Sequence, residues 1–229
     1  MVAFPAAAAL VSTIFAIQLL TQYAHRKRLP QLAWGIAMTM YAIASLAVAA
    51  GASGGWDPTL FRIYWLFGAL LNVPFLALGS VALLQRRPLI ALMLVVVLAA
   101  TVIAVVAVAS ASVHLSAGAG RNIPRGSRAW GSDALVARLA TYLSIPAYVI
   151  VVLIAFASGR GGRLPIYRVR GNWLIALGAT VVAIGSSVAR YGRGSVFSVF
   201  LAVGVIVMFA GFRLASRAPR AAASADEDS

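Results

Sequence analysis

The chain has 229 residues, 62% of them hydrophobic and only 10% charged, with a mean hydropathy of +0.94. Soluble domains run near half apolar with about a quarter of their residues charged, so a water-soluble fold would leave most of this apolar surface uncovered. The net charge of +14 sits in short basic clusters beside apolar stretches, which suits anionic lipid headgroups and excludes nucleic acid as the partner; the absence of cysteine excludes disulfides and thiolate chemistry.

Seven apolar stretches follow one another, each about 20 residues long, the length a helix needs to cross roughly 30 Å of hydrocarbon. They are continuous rather than alternating, which argues against a β-barrel. The predicted spans are 3–23, 32–52, 59–83, 89–112, 135–158, 172–190 and 195–214, and none contains Asp, Glu or Lys. The expected fold is therefore an all-α bundle of seven transmembrane helices in one domain, residues 1–220. Residues 221–229, with Asp226, Glu227 and Asp228, read as a disordered acidic tail.

The first span has no basic residue before it and His25, Arg26, Lys27 and Arg28 directly after it, the reverse of a cleaved signal peptide, so it is expected to remain as an anchor. Loops one, three and five and the C-terminal tail hold 12 of the 19 basic residues; the other side holds seven, Arg62, Arg121, Arg125, Arg128, Arg138, Arg190 and Arg193. The positive-inside rule then predicts an outside N-terminus and a cytoplasmic C-terminus in a bacterial plasma membrane.

Along the chain, Asp57-Pro58 and Ser132-Asp133 read as helix N-caps at the starts of spans three and five rather than as acid-base partners. The fourth span carries only Thr101 and Ser110 as polar residues and is expected to face lipid. Glycines seven apart, Gly171, Gly178 and Gly185 in span six and Gly204 and Gly211 in span seven, each form a stripe on one helix face and predict close helix packing. His25 and His114 fall at opposite membrane faces and cannot share a metal or haem. Lys27 lies in a loop, which excludes a retinal Schiff base in the bundle. No cofactor is expected, and with no nucleophile-base pair to assemble, neither is catalysis.

Polar residues inside spans need partners in hydrocarbon and are the natural candidates for a site. Tyr41 and Ser45 stand at i and i+4 in span two; Thr141, Ser144 and Tyr148 share a face of span five beside Pro146. Arg62, Tyr64 and Asn72 lie in span three, and Ser186, Ser187 and Arg190 close span six. Given the topology, most fall in the outer half of the bilayer, where Tyr41, Ser45, Arg62, Tyr64, Asn72, Thr141, Ser144, Tyr148, Ser186 and Arg190 would line one ligand pocket open to the outside. Interhelical hydrogen bonding is the plainer alternative.

Two resemblances add to this reading. Arg28-Leu29-Pro30 after span one and Arg163-Leu164-Pro165 after span five occupy equivalent places in two triplets around the fourth span. With Pro30-Gln31, this pattern resembles transporters of the SWEET and PQ-loop type, although here the Pro-Gln pair opens its helix and the second triplet has Pro165-Ile166. Gly55-Trp56-Asp57-Pro58, Phe61-Arg62-Ile63-Tyr64 and Asn172-Trp173-Leu174-Ile175 are similar to segments of uncharacterised multi-pass membrane proteins of high-GC Gram-positive bacteria, which imply no activity. The functional expectation is non-catalytic binding of a small or lipidic ligand, with Arg62 and Arg190 suited to an anionic one. The alternatives are a uniporter-like carrier of the PQ-loop kind and an accessory or sensory subunit acting through a membrane partner protein.

Overall fold

The computed structural model describes residues 2–115, 122–131, 134–160, 166–190 and 194–216. Within these residues every regular element is a helix, and seven helices are long and apolar enough to cross a membrane. The expected cap at Ser132-Asp133 and the Arg163-Leu164-Pro165 repeat lie outside the described residues.

Helix α1, Ala3–Arg26, ends at Lys27, whose left-handed φ of 50° turns the chain while its N–H closes the last turn on Tyr23 O. His25 and Arg26 occupy that last turn, where cations suit the negative end of the helix dipole. Two residues later α2, Leu29–Gly54, begins with Pro30 in its first turn, a position where the missing N–H costs nothing. Gly55, at φ 94°, stops it. Asp57 then caps α3, Pro58–Tyr64, as expected, its Oδ1 accepting from Thr59 N at 2.8 Å and Leu60 N at 3.0 Å.

The third span is one helix of three parts: α3, a π-helix at Trp65–Leu71, and α4, Asn72–Ala82. The widened turns were not foreseen from the sequence. Both they and Pro74, which has no N–H to give, leave main-chain carbonyls short of donors, and Ser144 Oγ reaches across to donate to Ala69 O at 2.8 Å. After the turn at Gln85, φ 55°, come α5, Arg87–Ser110, the four-residue α6, Gly126–Ala129, and the long α7, Ala134–Arg160, α8, Ile166–Arg190, and α9, Gly194–Ser216. Helix α8 starts six residues before the predicted span, because Arg168 and Arg170 were read as loop when they are the polar first turns of a helix.

Spans two, three and seven form the centre of the bundle, with 61%, 56% and 50% of their most apolar windows buried. The fourth span buries only 17%, as expected for a helix facing lipid, and the fifth is equally peripheral. Helices α8 and α9 run antiparallel and touch through backbone: a Cβ on Gly178 would stand 2.5 Å from Gly204 O, and one on Gly211 would stand 2.7 Å from Gly171 O. The seven-residue glycine spacing thus marks this seam. Helix α1 closes the bundle by packing Phe15 against Phe209 and Phe212 of α9, at centroid distances of 5.2 and 5.0 Å.

Candidate functional site

Three of the polar residues singled out in the sequence, Tyr41, Ser144 and Tyr148, tie one helix to another. The Tyr41 hydroxyl is buried and donates to Leu201 O of α9 at 2.8 Å. Tyr148 meets Thr180 Oγ1 at 2.8 Å, linking α7 to α8. Since the single Thr180 proton goes to Ala176 O at 2.8 Å, Tyr148 is the donor. Ser144 serves the π-helix, Thr141 lies half-buried nearby on α7, and Ser45 is 2% exposed in the core. Ser186 is exposed and turns back to Val182 O of its own helix. The side chains of Ser187 and Arg190 lie outside the described residues.

Arg62 and Tyr64 are brought together elsewhere, at the end of the bundle where the N-terminus lies. Helix α3 carries Phe61, fully buried, at the centre of an aromatic cluster. Trp130 lies 5.4 Å from it, Trp65 5.6 Å, Trp56 6.2 Å and Tyr64 6.3 Å between ring centroids. Backbone fits the rings closely: no side chain could replace the hydrogen of Gly51 against Trp56, or of Gly126 in α6 against Trp65. Tyr64 also packs against the core that contains Tyr41, so this cluster is continuous with the centre of the bundle.

Arg62 enters this apolar setting with one duty met. Its Nη2 donates to Ala111 O at 2.8 Å, the carbonyl that ends α5, where a cation also suits the helix dipole. Its Nε is buried without a hydrogen-bond partner among the described residues, and so are the indole Nε1 atoms of Trp56 and Trp130. Unmet buried donors cost about 1–3 kcal/mol each. Trp65 Nε1 does find a partner, Val136 O at 3.4 Å. Three unpaired donors, one of them on a cation, therefore share one cluster that offers them aromatic edges and faces. Arginine and tryptophan side chains hold no acceptor, so what completes these groups must accept.

Asn72 is a fourth buried polar group left incomplete, 4% exposed with Oδ1 unpartnered, and it lies just past the π-helix. The sequence reading missed the three clustered tryptophans and Thr180. An aromatic belt at the bilayer interface was the available signal for Trp56 and Trp65. Nothing beside Trp130, in the long loop after the fourth span, shows that it folds back to 1% exposure.

Two cavities lie at the opposite end, where the first and third loops are, and none of the ten predicted site residues lines either. One, of about 20 Å³, sits among α2, α4, α7 and α8 between Trp34, Ser80, Val151 and Asn172. There Leu76 O accepts from both Trp34 Nε1 at 3.1 Å and Ser80 Oγ at 3.0 Å. The other is a groove of about 380 Å³ beside Arg28 and Gln85. No group of three or more His, Asp or Glu that could hold a metal ion is found among the described residues. Compared with models of protein families, with curated proteins and with solved structures, the chain matches none of them.

Proposed function

We propose that the protein is a non-catalytic, multi-pass protein of a bacterial plasma membrane, N-terminus outside, that binds a small or lipidic ligand with an acceptor-bearing, anionic head at its outer end. One observation carries this reading: Arg62 Nε and the Nε1 atoms of Trp56 and Trp130 are all buried and unpaired within one aromatic cluster. A carboxylate, phosphate or ester oxygen supplies the acceptor these groups lack, and the surrounding rings strengthen the bond by excluding water. The seven helices long and apolar enough to cross a membrane support the membrane assignment. The excess of basic residues at loops one, three and five and the tail supports the orientation.

Native mass spectrometry of the wild type, Arg62→Lys and Trp130→Phe tests it. The expected result is a co-purifying ligand or lipid in the wild type that is depleted in both variants, since lysine keeps the charge without the planar fork and phenylalanine keeps the ring without the N–H. Equal occupancy in all three proteins, or none in the wild type, would leave the cluster as packing. For the orientation, a phosphatase fused after Ser229 should be inactive and a fluorescent protein there bright; the reverse pattern would overturn it.

A second reading, a uniporter-like carrier, rests on the likeness of Pro30-Gln31 and the two triplets to PQ-loop transporters; the gap at Trp34 and Asn172, with room for about one water, marks where two helices of each triplet meet. Solute uptake into proteoliposomes, blocked by a bulky replacement at Ser80, is its test.

A further inference from the structure

We infer that the groove between the first and third loops binds one phospholipid, held through its phosphate and through a hydrogen-bond donor on its headgroup. The groove encloses about 380 Å³, within the range of small-molecule sites, and its walls include Arg28, Pro30, Gln31, Leu83, Gln85 and Ile90. Its shape follows from two tight reversals. Lys27 and Gln85 are the two non-glycine residues with positive φ among the described residues, at 50° and 55°. They bring the end of α4 and the starts of α2 and α5 together, leaving a gap between them.

Three independent features select the occupant. First, the two reversals that shape the groove carry Lys27, Arg28, Arg86 and Arg87, while no acidic residue occurs before Asp57 or between Asp57 and Asp133. A single-sign field of this kind, at the level of lipid headgroups, attracts a phosphate. Second, Gln31 buries its Oε1 without a hydrogen-bond partner among the described residues. An acceptor in that position asks for a donor, which a phosphodiester does not have. An ethanolamine ammonium or a glycerol hydroxyl supplies it; choline does not. Third, the groove is apolar on one side, at Leu83 and Ile90, and that side runs onto the exposed Leu84, Leu89 and Leu92, at 43%, 41% and 62%. An acyl chain can follow this path along α5, whereas a soluble anion gains nothing from it.

The site lies at the opposite end from the aromatic cluster, so either can fail alone. The test is a titration of detergent-purified protein with phosphatidylglycerol, phosphatidylethanolamine, phosphatidylcholine and glycerol phosphate, read as bound adducts by native mass spectrometry. The wild type should bind one phosphatidylglycerol or phosphatidylethanolamine about tenfold more tightly than phosphatidylcholine. Arg28→Gln should weaken all three lipids about tenfold, and Gln31→Leu should bring the first two down to the choline lipid without changing it. Arg26→Gln, exposed in the last turn of α1 and outside the groove, should leave binding within about twofold. Melting temperatures in lipid-free detergent should match across the variants, because Arg28 is exposed and Gln31 makes no bond through Oε1. Equal affinity for the three lipids, equal losses in Arg26→Gln and Arg28→Gln, or saturation by glycerol phosphate alone would overturn the proposal.

Discussion

The seam between α8 and α9 and the seams that join α7 to the third span and to α8 hold helices by opposite means. Along α8 and α9, glycines let backbones touch, and the gain is dispersion over a long, dry contact. Along α7 contact with the neighbouring helices is sparser, and they are tied at points, by Ser144 to Ala69 O on one side and Tyr148 to Thr180 on the other. The first means tolerates no added atom; the second tolerates the loss of any one tie. In a solvent as apolar as the side chains themselves, shape and hydrogen bonds divide the work that burial does in water.

The comparison is broken most sharply at the glycine seam. Gly178→Ala adds one carbon that would meet backbone atoms, Gly204 O at 2.5 Å and Met208 N at 2.7 Å, so neither neighbour can move aside cheaply. We expect a loss of about 1–3 kcal/mol, seen as a lower melting temperature and poorer expression in detergent. Gly54→Ala is the matched control, with nothing within 4 Å of the new carbon, and should be neutral or slightly stabilising. If the two behave alike, the seam is not held by close approach.

Next in size is Tyr41→Phe, which removes the bond to Leu201 O and leaves that carbonyl's second lone pair unmet in the core. We expect about 0.5–1.5 kcal/mol by thermal or denaturant unfolding in detergent. For the point ties, a double-mutant cycle on Tyr148→Phe and Thr180→Val should give a coupling near 0.6 kcal/mol, the usual scale for hydrogen bonds between membrane helices. The smallest effect should be Thr101→Val in the lipid-facing α5: its hydroxyl only returns to Val97 O of its own helix, and unfolding should not change measurably.

This difference also decides what could be read in advance. Gly178 and Gly204 announce themselves by spacing, because a seam made of backbone needs the same small residue at regular intervals. Asp57-Pro58 announces a helix start for the same reason, the local geometry being written in the residues that form it. The ties of Tyr41, Ser144 and Trp34 end on carbonyls of Leu201, Ala69 and Leu76, and a carbonyl is common to every residue. Tyr41, Ser144 and Tyr148 were legible as polar residues in need of partners, but which helix would provide them was not. The aromatic cluster shows the same limit. Arg62 and Tyr64 stood out, yet Trp130 joins them only because a loop returns to the bundle, which local spacing cannot encode. The π-helix escaped because its sequence, Trp65–Leu71, is as apolar and helix-compatible as its neighbours.

That π-helix makes the third span a phase shifter. Fitting one more residue into the same axial rise turns everything after Leu71 by about 100° relative to an unbroken α-helix. The orientation of α4, which sets Gly79 under Trp34 and Ala77 against Ala147 and Val151, depends on that offset. Removing a single residue between Trp65 and Leu71 would rewind the helix to regular pitch and swing both contacts off their partners while leaving the aromatic cluster around Phe61 in register. In any alignment with a chain that lacks the widened turn, a one-residue gap belongs inside this segment.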